Sequence, residues 1–207
     1  MSLLVYIEAS PLKGRSNSTA VAEAFLQAYQ ASYPSDDIVR LDLWHMDLPP
    51  FDAETIDAKF SVLRKQQFAP EQWQRWDAVR SVSRRFNAGD KYVFSVPMWN
   101  FGVPYRLKHF IDIVTLPGEN WTWSKERGYE PLLSGKRALL IYSSANDYSG
   151  RNDRSDFQKP YLRRWLEFIG VDDIQEITVA PTLADPAAVA DRRAAAIQQV
   201  RRLAPAF

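Results

Sequence analysis

Lys91-Tyr92-Val93-Phe94-Ser95-Val96-Pro97-Met98-Trp99-Asn100-Phe101-Gly102-Val103-Pro104 is the stretch that decides how this chain folds. Residues 91–96 are apolar on both faces, as a strand is when helices cover both sides of a parallel sheet. A tight turn dense in large, flat and soft side chains follows. Pro104 is placed to start a helix, in which Leu107, Ile111 and Val114 share one face. Strand, turn and helix make one unit of an alternating α/β pattern.

The same unit recurs on either side. Further strands are predicted at 3–7, 38–43, 137–143 and 174–180, and helices at 18–33, 70–86, 160–169 and 186–203. Residues 44–67 are too long for an ordinary connection and read as a partly helical excursion; 117–131 read as a long loop or hairpin carrying Trp121 and Trp123. Right-handed crossovers turn five such units into a three-layer, doubly wound α/β fold. Five parallel strands favour the flavodoxin-like order 2-1-3-4-5 over a six-stranded dinucleotide fold. The 207 residues fit one domain, 1–207, around one sheet. Ligands of such sheets bind beyond the carboxyl ends of the strands, which directs attention to the loops after Ile7, Val96 and Tyr142.

Composition narrows the chemistry. Basic and acidic side chains nearly cancel, 26 against 25, so no global field draws the chain to nucleic acid or anionic lipid. The absence of cysteine excludes disulfides, thiolate nucleophiles and thiolate-bound metals. The two histidines, His45 and His109, form no ligand cluster, and no metal site is expected. The first residues lack the pattern of a secretory signal, and the chain is expected to be cytoplasmic. Chemistry beyond acid–base work then requires a borrowed cofactor.

After strand one comes Ser10, then Lys13-Gly14-Arg15-Ser16-Asn17-Ser18-Thr19 at the start of a helix. Ser16, Asn17 or Ser18 suits a simple N-cap, which needs no ligand. The same donors, with the positive helix end, also suit a phosphate. Neither G-x-x-x-x-G-K-[ST] nor G-x-G-x-x-G is present, which favours a monophosphate over a triphosphate or dinucleotide. Hydrogen bonds to a charged group contribute roughly 1.5–3 kcal/mol each, so a few neutral donors suffice to anchor it.

Taken alone, Met98, Trp99 and Phe101 also suit an ordinary core. Pro97-Met98-Trp99-Asn100-Phe101, continued by Leu107-Lys108 and Asp112, resembles the P-M-Y-N-F…L-K…D signature of FMN-dependent NAD(P)H azoreductases and quinone reductases. Ser10 and Ser16-Asn17-Ser18 match that family's S…S-x-S phosphate segment. The resemblance covers nearly the whole chain. It implies that FMN is bound tightly and non-covalently, its phosphate at Ser10, Ser16, Asn17 and Ser18. Its ring would lie against Met98, Trp99, Asn100 and Phe101, whose backbone amides approach N5 and the pyrimidine edge. Ser143 and Asn146 stand where the family has an S-R-G-G loop near the flavin; both glycines are missing here. Trp99 replaces a tyrosine, keeping the flat face without the hydroxyl.

The resemblance further implies two-electron transfer from NADH or NADPH to a quinone or azo compound by a ping-pong cycle, in a homodimer paired across the active site. Trp99, Trp121 and Trp123 would line the substrate pocket, although Trp121 and Trp123 equally suit a plain hairpin with one buried face. No side chain is expected to be catalytic in the strict sense. The rival readings are an electron-carrier flavodoxin, which the near-neutral charge disfavours, and an FMN-free interaction module.

Overall fold

The structure is a computed structural model describing residues 1–67 and 70–207, without side-chain detail at 70–71 and 151–153. Elements follow in the order β1 (Leu3–Glu8), α1 (Asn17–Ser32), β2 (Asp37–Asp42), α2 (Ala53–Leu63), α3 (Pro70–Asn87), β3 (Lys91–Pro97) and α4 (Tyr105–Val114). They continue with β4 (Trp121–Ser124), β5 (Gly128–Pro131), β6 (Lys136–Ser143), α5 (Lys159–Ile169), β7 (Val171–Val179) and α6 (Pro186–Leu203).

Five parallel strands form one sheet in the order β2-β1-β3-β6-β7, which is 2-1-3-4-5 when the sheet's own strands are counted. This is the expected flavodoxin-like arrangement. The excursion after β2 contains α2, and residues 117–131 carry the antiparallel hairpin β4–β5.

Alternation along the central strands explains why both faces are apolar. Val5, Ile7, Tyr92 and Phe94 point to one side, where they meet Phe86, Leu107, Phe110 and Trp165. Leu4, Tyr6, Val93 and Leu139 point to the other, against Val21, Phe25, Tyr29 and Val200. Strand β7 begins at Val171, three residues before the expected start, because an edge strand tolerates exposed Asp172 and Asp173.

Candidate functional site

The carboxyl ends of β1, β2, β3 and β6 are stitched together by hydrogen bonds to backbone carbonyls. The Ala9 N–H donates to the Ser95 carbonyl at 3.1 Å, and the Met98 N–H to the Ser143 carbonyl at 2.7 Å. The Trp44 indole N–H reaches the Ala9 carbonyl at 2.9 Å. The three predicted loop groups therefore occupy one end of the sheet, as the strand order requires.

At the first loop, Ser10, Ser16, Ser18 and Thr19 are buried and Asn17 is half-buried. Ser16 is the N-cap of α1, but its hydroxyl lies 3.4 Å from the Thr19 nitrogen and 3.2 Å from the Ser18 hydroxyl. Ser10 accepts from the Leu12 N–H at 3.3 Å. These contacts are long for hydroxyl hydrogen bonds. The Thr19 hydroxyl, which the sequence reading did not assign, is buried with no partner among the described residues. A buried polar atom without a partner is costly, and this one sits at a helix end that points donors outward. α2 and α6 are capped by Asp52 and Asp185, and Asp156 takes the first N–H groups of α5. α1 has a serine cap and no acid in its first turn. Its unneutralised positive end and loosely bonded hydroxyls fit an anion.

At the second loop, Trp99 and Gly102 form a two-residue hairpin in which Asn100 and Phe101 have φ of 47° and 69°. Such turns demand left-handed conformations at both central positions and normally use Asn-Gly. Asn100 complies; Phe101 is a bulky residue where glycine is the usual choice. The strain is retained in an exposed turn, which is characteristic of functional loops. The turn leaves the Asn100 and Phe101 N–H groups at its tip, outside the ladder. Beside it lies a cavity of about 660 Å³ lined by Pro50, Phe51, Trp99, Asn100, Tyr105 and His109, among others.

Trp44 and Tyr105 enlarge the aromatic surface. The Trp44 ring lies 5.7 Å from that of Trp99 and 5.4 Å from that of Tyr105. Arg106 secures this corner by donating to the carbonyls of Leu43 and Met46, both at 2.7 Å. Trp44 went unassigned although it follows a strand end, the same signal that marked the other three loops.

At the third loop, the Ser143 carbonyl supports Met98, and its side chain is buried. Asn146 is exposed and does not adopt positive φ. The loop closes without glycine because Ser144 bonds the Asn146 carbonyl at 2.8 Å and Thr182 and Leu183 donate to Ser144 and Ala145. Asn146 and Phe101 line a second cavity of about 480 Å³ with Tyr148 and Leu183.

Trp121 and Trp123 do not join Trp99 within one chain. α4 starts beside the turn and runs about 15 Å toward the opposite end of the sheet, at 1.5 Å per residue. The hairpin follows there, with the Leu133 N–H bonded to Ile169 just before β7 begins. Trp121 is buried against Tyr129 and Phe168, while Trp123 is exposed.

A family model described as flavodoxin-like fold, Flavodoxin_2, matches residues 2–204. The chain belongs to the Flavodoxin_2 family. Within it, the chain is 43% identical over 188 residues to an FMN-dependent NADH:quinone oxidoreductase of Desulfotalea psychrophila, covering 90% of this chain and 89% of the relative. It is 39% identical over 210 residues to the protein of that name from Nitratidesulfovibrio vulgaris, covering all of both. Among solved structures, an azoreductase from Bacillus anthracis superposes over the full length of both chains with a TM-score of 0.91 at 22% identity, a likeness of fold. No metal-binding cluster of acidic residues or histidines occurs among the described residues, and no described helix is long and apolar enough to cross a membrane.

Proposed function

We propose that this Flavodoxin_2 member is an FMN-dependent oxidoreductase carrying two electrons from NADH or NADPH to quinones, with azo compounds as further acceptors. The observation that carries this reading is the pairing of two features at one sheet end. One is a set of buried, loosely bonded hydroxyls at an uncharged helix start. The other is the strained turn whose N–H groups face outward beside aromatic side chains. The first suits a monophosphate, the second a flat heterocycle with acceptor atoms along its edge.

Ser10, Ser16, Asn17, Ser18 and Thr19 would hold the phosphate, and Met98, Trp99, Asn100 and Phe101 would seat the ring. FMN held there would supply the two-electron redox chemistry that links the nicotinamide to the acceptor. The protein orients the flat reactants on Trp44, Trp99 and Tyr105, excludes water from one side of the slot, and supplies hydrogen-bond donors where negative charge develops. One slot serving both reactants in turn makes the cycle ping-pong. The working unit is a cytoplasmic homodimer in which Trp123 reaches the slot of the other copy.

The purified protein's absorbance tests the reading. Flavin bands, present or restored by FMN, should bleach anaerobically with NADH or NADPH and return with a quinone. Flavin bands that neither nucleotide bleaches would favour an electron carrier. No flavin binding at all would leave an interaction module.

A further inference from the structure

Lys13, next to the serine turn, has left-handed backbone geometry, with φ of 53°. Glycine follows immediately at position 14, so the turn has not placed its permissive residue where the unusual φ occurs. The Lys13 side chain accounts for this. Its ammonium is 2.5 Å from Asp42 Oδ1 at the end of β2 and 3.6 Å from Glu8 Oε2 at the end of β1. Glu8 is buried and also meets Arg40 at 3.4 Å, and Arg40 in turn holds Glu23. Asp42 additionally accepts from the Trp44 N–H at 3.1 Å and meets His45 at 2.8 Å. A basic residue beside a phosphate site would ordinarily be expected to hold the phosphate. This one is paired with two carboxylates.

The backbone of Lys13 is joined to the site. Its carbonyl accepts the Ser16 N–H at 2.8 Å, and the Arg15 N–H closes on Leu12 at 3.1 Å. Ser16 is thereby held in the extended conformation of an N-cap, which directs its hydroxyl toward Ser18 and Thr19. We propose that Asp42 and Glu8, acting through the Lys13 side chain, are positioning residues that set the Ser16–Ser18 hydroxyls for a phosphate, so that Lys13 confers preference for FMN over riboflavin without touching the cofactor. The proposal rests on the FMN reading above.

Dissociation constants for FMN and riboflavin, measured by flavin fluorescence quenching at pH 7, test it in wild type, Lys13→Met, Asp42→Asn and the double variant. Each single substitution should reduce the preference for FMN about tenfold or more while changing riboflavin affinity less than threefold. The double variant should be no worse than the more affected single one, because both break the same link. An unchanged or enhanced preference in Asp42→Asn overturns the proposal, since a freed Lys13 would then be neutral or a direct phosphate ligand. Parallel weakening of both flavins also overturns it, as that is what a merely structural role produces. If Asp42→Asn does not fold, Lys13→Met reads the same link from its other end. A wild type that binds neither flavin overturns the FMN reading together with this proposal; wild-type binding with an unmoved ratio overturns this proposal alone.

Discussion

Trp99 and Gly102 exchange both backbone hydrogen bonds, at 3.0 and 2.9 Å, around Asn100 and Phe101. The pair closes the turn so tightly that Phe101 is held at φ 69°. A residue with a Cβ pays roughly 1–2 kcal/mol for that region, and glycine gives back part of the difference through its freer unfolded state. Phe101→Gly should therefore be more stable than Phe101→Ala by about 1 kcal/mol in urea unfolding of the apoprotein. Both variants lose the same exposed ring, so the comparison isolates backbone strain. Equal stabilities would mean that the turn relaxes.

Replacing Ser16 and Ser18 together by alanine separates capping from phosphate binding. The capping contact is 3.4 Å long, so the apoprotein should lose no more than about 1 kcal/mol. Two lost hydrogen bonds to a charged group, at roughly 1.5–3 kcal/mol each, should weaken FMN binding by about a hundredfold or more. Comparable losses in stability and affinity would reduce the serine turn to a helix cap.

The fold was legible because strands such as Leu4-Val5-Tyr6-Ile7 are apolar on both faces and alternate with amphipathic helices, as a doubly covered parallel sheet requires. The site was legible where it depends on loops that follow those strands. Trp44 was not, because its partner is a carbonyl 35 residues away and only the β1–β2 pairing brings them together. Thr19 was hidden because a hydroxyl's lack of a partner is a property of packing. Within one chain the hairpin carrying Trp121 and Trp123 stands apart from Trp99, and spacing does not reveal which end of the sheet a connection returns to.

Asp42 should make stability depend on acid. Burial opposes its ionisation, but hydrogen bonds from Lys13, His45 and the Trp44 N–H outweigh burial and hold the carboxyl below its ordinary value of 3.8. A group whose pKa is depressed by folding contributes stability above its unfolded value and loses that contribution as pH falls through the folded one. Asp42→Asn should thus be less stable than wild type at pH 7, and the gap should shrink below about pH 4 in urea titrations. A gap unchanged at pH 3 would mean that the ion pairs contribute nothing to folding.

Gly170 provides a control remote from the site. It ends α5 at φ 99°, and a Cβ there would lie 2.0 Å from the Leu133 carbonyl oxygen, which belongs to the backbone and cannot swing away. Gly170→Ala should destabilise the protein by about 2–4 kcal/mol through strain and displacement of the β5–β6 connection. FMN affinity of the folded fraction should remain within about twofold, because the substitution lies at the amino end of the sheet. A large fall in affinity would show that the two ends are coupled.

The distance between the Trp123 hairpin and Trp99 makes the proposed dimer testable through its sites. In a twofold dimer whose hairpins cross over, each slot takes Trp99 from one copy and Trp123 from the other. Trp99→Ala and Trp123→Ala should each raise KM for a quinone when all subunits carry the change. Equal mixing by refolding or coexpression makes half the dimers hybrid. Each hybrid then has one slot with both tryptophans and one with neither, so about a quarter of all slots regain wild-type kinetics. A hairpin serving its own chain gives the opposite result, because every slot then keeps one defect and nothing is regained. Exposed Trp123 is the residue for this test, since buried Trp121 holds the hairpin to Phe168 and its loss would disturb the hairpin itself.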